Sequence, residues 1–134
     1  MDVHVRHEVG DRFRVEVGRH VLTVDQPGTG DAGPTPTDLF VASLASCAAH
    51  YAGRFFVRHG IDPDGFGVDG TFTMAQDPPA RVGRIDLALR LPRGFPDELR
   101  PRLAAVVAHC TVHTSIMRPP EIHVDLRAAA SVAL

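Results

Sequence analysis

The sequence predicts an α+β fold. Three observations carry this: two regions of alternating apolar and polar residues, a long apolar stretch at helical spacing between them, and helical patterns after the second region. The chain has 134 residues, which fits a single domain over 1–134.

Residues 3–25 read as a β-meander. Val3, Val5, Phe13, Val15, Val17 and Val21 alternate with His4, Arg6, Arg12, Arg14 and Glu16. Gly10-Asp11 marks a turn, and Gly18 a bulge or second turn. Residues 26–36 carry three glycines and three prolines, so they form a loop. Thr35 is placed to cap a helix, Pro36 suits its first position, and Asp38 falls at the third. The helix is expected from Pro36 to His59, with Gly60 as its stop. Leu39, Phe40, Val41, Leu44, Ala45, Ala48, Ala49 and Ala52 surround most of its axis. Such a helix is expected to be buried nearly all round, and in a short chain dimerisation supplies the missing cover.

Strands are expected at 66–75 and 82–91, joined by Asp77-Pro78-Pro79-Ala80 as a hairpin. A second helix starts near Pro96-Asp97-Glu98, with Pro101 in its first turn. A short helix follows over Cys110 to Met117, then a final strand over Glu121 to Arg127 with Ile122, Val124 and Leu126 on one face. Residues 128–134 carry no pattern.

Composition narrows the function. Apolar residues make up 44% and charged residues 22%, so disorder is excluded. The net charge of −2 gives no electrostatic case for nucleic acid. No apolar run approaches the roughly 20 residues of a membrane span. The N-terminus lacks a signal-peptide pattern, so the cytoplasm is the expected location. All 14 basic residues are arginine, which removes any lysine-based mechanism.

Two cysteines are too few for a disulfide scaffold. Cys47 shares a helical stripe with Phe40, Leu44, Tyr51 and Phe55. Cys110 falls at an expected helix start, where N–H groups and the helix dipole favour a thiolate. A peroxidatic and resolving thiol pair is one reading. Their separation of 63 residues neither supports nor opposes contact. A Cys2His2 metal site from Cys47, His50, Cys110 and His113 is a second, because i, i+3 spacing puts ligands on one face. Ser43, Ser46 and Ser115 lack a Gly-x-Ser-x-Gly setting. Gly28, Gly30 and Gly33 lack a strand–glycine–helix phosphate setting.

Gly33-Pro34-Thr35-Pro36-Thr37-Asp38-Leu39-Phe40, followed by Ala42-Ser43-Leu44-Ala45-Ser46-Cys47, resembles the OsmC/Ohr family. So do Ala108-His109-Cys110-Thr111-Val112 and Pro120-Glu121-Ile122-His123-Val124. Gly18-Arg19-His20 and Asp25-Gln26-Pro27 resemble its YhfA-like branch. The resemblance spans roughly residues 10–127.

The resemblance implies an OsmC-like fold as an intertwined homodimer, with two long central helices wrapped by sheets. It implies reduction of organic hydroperoxides, with Cys47 peroxidatic and Cys110 resolving. An external dithiol, such as a lipoylated protein, would reduce the disulfide; no cofactor or metal is implied. Active members of the family carry a glutamate ten residues before the first cysteine, where it holds an arginine. Here that position is Thr37, with Asp38 about 100° further round the helix. Arg12 is the first candidate for the arginine; Arg6, Arg14 and Arg19 are the others. Thr37, Asp38, Phe40 and Tyr51 are the expected substrate-binding residues. The alternative is the same fold holding a small apolar or electrophilic ligand in the dimer cleft without turnover.

Overall fold

The structure, a computed structural model, describes residues 1–129. Its elements confirm the α+β class and, apart from the final strand, run in the expected order. Strands β1 (Val3–Val9), β2 (Arg12–Val17) and β3 (His20–Val24) form an antiparallel meander in the order β1-β2-β3. The two tight turns need positive φ, and Gly10 (56°) and Gly18 (57°) supply it. Gly18 therefore makes a turn.

The register sets Val3 opposite Val17 and Val5 opposite Val15, and Val15 opposite Leu22. Leu22 and Val24 thus share the apolar face. Val21 pairs with Glu16 and lies on the polar face, a correction to the alternation read across the second turn. The tight turn at Gly18 resets the phase.

Helix α1 (Pro36–Arg58) begins with a complete capping box. The Asp38 N–H donates to Thr35 Oγ1 at 3.0 Å, and the Thr35 N–H donates to Asp38 Oδ2 at 3.0 Å. It ends at His59, whose Nδ1–H donates to the Phe55 carbonyl at 2.9 Å, just before Gly60. Within the chain α1 is buried on one face only: Val41, Leu44, Ala48, Ala52, Phe55 and Phe56. Ala42, Ser43, Ser46, His50, Arg54 and Val57 are exposed. The expected burial all round is therefore not met inside one chain, because β4, β5, α2 and α3 all pack on that single face.

Strands β4 (Gly67–Met74) and β5 (Val82–Arg90) form the expected hairpin. Val68, Gly70 and Phe72 face the same side as Leu89, Leu87 and Ile85. Gly70 lets α1 approach: a Cβ there would meet Leu87 at 3.1 Å and both Ala45 and Val41 at 3.9 Å. A 3-10 turn over Asp97–Leu99 precedes α2 (Arg100–Ala108), and α3 spans Thr111–Met117. The second helix thus becomes α-helical slightly later than Pro96, with Pro101 in its first turn.

Ala52, Phe55, Phe56, Phe95 and Leu103 form the core. Phe56 meets Phe66 edge-on at 4.8 Å and Phe95 at 5.9 Å, geometries that suit ring quadrupoles.

The final strand expected over 121–127 is not formed within the chain. A strand needs a hydrogen-bonded neighbour, and within the chain this segment pairs with neither sheet of the described residues. Ile122, Val124 and Leu126 are 79%, 83% and 92% exposed. Residues 130–134 of the tail lie outside the described residues.

Candidate thiol site

Packing of α1 against α3 brings the two cysteines together. Cys47 lies on α1 and is half-buried, whereas Cys110 is completely buried. Both are free thiols, and Cys47 lies near enough to Cys110 to influence its protonation. Cys110 is the N-cap of α3, and the His113 N–H donates to its Sγ at 3.3 Å.

The electrostatics of Cys110 differ from the sequence expectation. Its pKa is pushed up, first by burial and also by the Cys47 hydrogen bond and charge. The N–H groups of His113 and Val112 act in the opposite direction. Desolvation outweighs the helix start here, because α3 is short and the sulfur has lost all contact with water. Cys110 is therefore held as a neutral thiol, not as the thiolate its helix position suggested.

Tyr51 stands one turn beyond Cys47 on α1. Its hydroxyl lies 2.7 Å from Thr111 Oγ1. Thr111 is the first residue of α3, so this bond locks the start of α3 against α1.

Two pockets are lined by helical neighbours of the cysteines, though by neither cysteine itself. An apolar groove of about 700 Å3 is lined by Phe40 and Leu44 from α1, Leu87 from β5, Leu103 and Val107 from α2, and His113 from α3. Leu44 and His113 each sit one helical turn from a cysteine. On the other side a pocket of about 380 Å3 is lined by His50, Tyr51, Arg54, Arg58, Val106 and His109. Phe40 and Tyr51, expected together as substrate contacts, thus open onto different pockets.

The remaining expected site residues are placed elsewhere. The Asp38 carboxylate is used by the helix cap. Thr37 is half-buried in the first turn of α1. Arg12 Nε faces Asp25 Oδ2 at 3.7 Å. Among the described residues no hydrogen bond or ion pair joins Arg12, Arg6, Arg14 or Arg19 to either cysteine. No group of three or more His, Cys, Asp or Glu side chains converges among the described residues, so the two cysteine–histidine pairs do not assemble a ligand set.

Asp25 has a role that sequence reasoning missed. It is buried at the end of β3 with its carboxylate turned into the loop. It accepts from the N–H groups of Gln26 (2.8 Å) and Ala32 (3.1 Å) and from Thr29 Oγ1 (3.4 Å). These bonds and the Arg12 charge hold its carboxyl below the usual carboxylate range. The signal was an acid directly before a Pro-Gly loop with a threonine four residues on, the pattern of a side chain that organises a turn.

A family profile described as OsmC-like protein matches residues 28–125. No curated protein sequence matches the chain. Among solved structures, a Psychrobacter arcticus 273-4 protein provisionally named for osmotic stress induction and a detoxification response is 24% identical. That match covers 84% of this chain and 85% of that one at a TM-score of 0.76. The organic hydroperoxide resistance protein OsmC of Legionella pneumophila is 18% identical, covering 87% and 89% at a TM-score of 0.66. The organic hydroperoxide resistance protein OhrB of Bacillus subtilis is 17% identical, covering 86% and 90% at 0.64. At these identities the structural likeness establishes the fold. Because the family profile takes in most of the sequence and both cysteine segments, the chain belongs to the OsmC-like family.

Proposed function

We propose that this protein is a thiol peroxidase that reduces organic hydroperoxides, working as a homodimer through Cys47 and Cys110. One observation carries the reading: a partly accessible thiol faces a second thiol that solvent cannot reach. That asymmetry suits a peroxidatic and a resolving cysteine. Two hydroperoxide resistance proteins of the same fold support it.

The Cys47 thiolate attacks the outer oxygen of R–O–O–H. The O–O bond breaks, the hydroxyl passes to sulfur so that Cys47 becomes a sulfenic acid, and the alkoxide RO⁻ leaves, taking up the proton that Cys47 released on ionising to give ROH. The Cys110 sulfur then attacks the Cys47 sulfur. A disulfide forms and water leaves, carrying the sulfenic oxygen and the proton from Cys110. An external dithiol returns both cysteines to thiols by exchange. Burial keeps Cys110 from meeting peroxide itself, and its neutral state keeps it in reserve until a sulfenic acid stands beside it. The apolar groove bordered by Leu44 and Phe40 suits the hydrocarbon part of such a substrate.

Dimerisation rests on surfaces the chain leaves uncovered. Val3 and Val5 on the meander's apolar face are each 58% exposed, and Leu22 is 45% exposed. The segment with Ile122, Val124 and Leu126 leaves a further apolar surface uncovered. A second copy would cover both. In this reading Arg12, tied to Asp25 within its own chain, reaches a thiol only across that assembly.

The test is rapid-mixing oxidation with cumene hydroperoxide, followed by mass spectrometry. Wild type should consume one equivalent and form the Cys47–Cys110 disulfide. Cys47→Ser should consume none; Cys110→Ser should stop at the sulfenic acid. Full turnover by Cys47→Ser would overturn the reading. Saturable binding of an apolar ligand without any oxidation would assign the protein to binding instead.

A further inference from the structure

The pocket on the Tyr51 side of the thiols gathers basic and imidazole side chains. Its lining holds His50, Arg54 and Arg58 from α1 and His109 from the end of α2, and no acidic residue. The arginine ion pairs of the described residues all lie elsewhere, at Arg12, Arg14, Arg81, Arg84, Arg90, Arg93, Arg100 and Arg127. Arg54 and Arg58 are thus cations without a carboxylate partner among the described residues. Arg58, in the last turn of α1, complements the helix dipole. That account does not extend to His50 or to His109 on a separate helix.

The placement follows from helix geometry. Cys47, Tyr51, Arg54 and Arg58 are spaced i, i+4, i+7 and i+11, so they line one stripe of α1. Cys47 and Arg54 are about 10 Å apart along the axis. Helical side chains lean toward the N-terminus, which carries the Arg54 guanidinium back toward the thiol. The wall opposite is fixed. His109 Nδ1–H donates to the Ala105 carbonyl at 2.7 Å, leaving Nε2 as its other polar atom. The Tyr51–Thr111 hydroxyl pair closes the side nearest Cys110.

We infer that this pocket is an anion site that binds a carboxylate on the molecule reacting at Cys47. A carboxylate matches the planar fork of an arginine, and two guanidiniums with flanking imidazoles in one concavity give it charge-assisted bonds. The inference rests on Cys47 being the reacting thiol. It adds a polar recognition element that the apolar groove cannot provide. The carboxylate has two possible carriers, the hydroperoxide or the reducing dithiol. Their shared chemistry is what the pocket selects.

The experiment compares charged and neutral forms of otherwise equal reagents. In the oxidising half-reaction these are linoleic acid hydroperoxide and its methyl ester. In the reducing half-reaction they are dihydrolipoate and dihydrolipoamide. The readout is the acid-to-neutral ratio of second-order rate constants, for wild type, Arg54→Gln and Arg58→Gln. The ratio should exceed one in one half-reaction, which identifies the carrier. It should fall about tenfold in Arg54→Gln, as expected for losing a charged hydrogen bond. Arg93→Gln, on the far loop, should leave it unchanged. Alkylation of Cys47 by iodoacetate against iodoacetamide gives the same ratio without turnover, so a variant that has lost its fold is recognised by loss of both rates. If neither hydroperoxide is reduced but alkylation keeps an Arg54-dependent preference for the acid, the peroxidase reading fails and the anion site stands. Ratios that Arg54→Gln and Arg58→Gln leave unchanged in every arm overturn the site.

Discussion

The hydroxyls of Tyr51 and Thr111 meet at 2.7 Å across 60 residues of sequence. Thr111 follows Cys110 directly, and Tyr51 stands one turn past Cys47. The bond therefore fixes how α3 sits on α1 at the place where the sulfurs meet. Removing it should loosen that register more than it destabilises the fold. Tyr51→Phe and Thr111→Ala should each cost about 0.5–1 kcal/mol in denaturant unfolding, the usual worth of one neutral hydrogen bond. Because either change removes the same bond, the double variant should cost little more than the single ones. In rapid mixing, both should slow disulfide formation while leaving the first oxidation of Cys47 near the wild-type rate. A slower first step with an unchanged second would refute this division.

Burial of Cys110 makes stability depend on alkaline pH. Its folded pKa is raised above the unfolded thiol value, chiefly by desolvation. Between the two values the folded state binds more protons than the unfolded one, so stability falls as pH rises. The contribution is fully present below the unfolded thiol pKa and is lost above it. In a Cys47→Ser background under reducing conditions, unfolding free energy should decline from pH 7 to pH 10. Adding Cys110→Ala should remove most of that decline, although it lowers stability at pH 7 by leaving a small cavity. Parallel pH curves for the two proteins would contradict the assignment.

Asp25 gives the opposite dependence. Its carboxyl pKa is lowered by the Gln26 and Ala32 N–H groups, with Arg12 assisting. Its stabilisation is present above the ordinary carboxylate value of 3.8 and is lost as pH falls through the lower folded value. Asp25→Asn keeps the shape but loses the charge and one acceptor. Its melting temperature should drop by on the order of 5 °C at pH 7. The difference from wild type should shrink toward pH 3. Gly30→Ala probes the same loop sterically, because a Cβ there would lie 2.5 Å from Asp25 Oδ2. It should destabilise without changing the acid dependence.

What the sequence revealed follows the range of each interaction. The capping box at Thr35 and Asp38 is local, so its pattern reads directly. The β4–β5 alternation and the aromatic spacing of α1 are equally local. The meeting of Cys47 and Cys110 is set by how α3 packs on α1, which no spacing encodes. The same holds for Arg12 and Asp25, neighbours only because β2 and β3 pair with Phe13 opposite Val24. The raised pKa of Cys110 was hidden for another reason. A helix start is visible in sequence, but the degree of burial that overrides it is not.

The register of the meander allows dimerisation to be tested on one strand pair. Val5 and Val21 are exposed to similar degrees within the chain, 58% and 48%. Exposure alone would treat them alike. Val5 pairs with Val15 and shares the apolar face, whereas Val21 pairs with Glu16 on the polar face. If a second copy covers the apolar face, Val5→Lys buries a charge without a partner. Desolvating a lone ammonium is prohibitive, so the assembly should separate or unfold. Val21→Lys places the same ammonium opposite Glu16, where a cross-strand pair is mildly favourable. Analytical ultracentrifugation should therefore find dimer for wild type and Val21→Lys, and loss of dimer for Val5→Lys. Equal masses for all three would remove this face from the interface. The reverse pattern would place the partner on the polar side, with Glu16 and Arg14 at the contact.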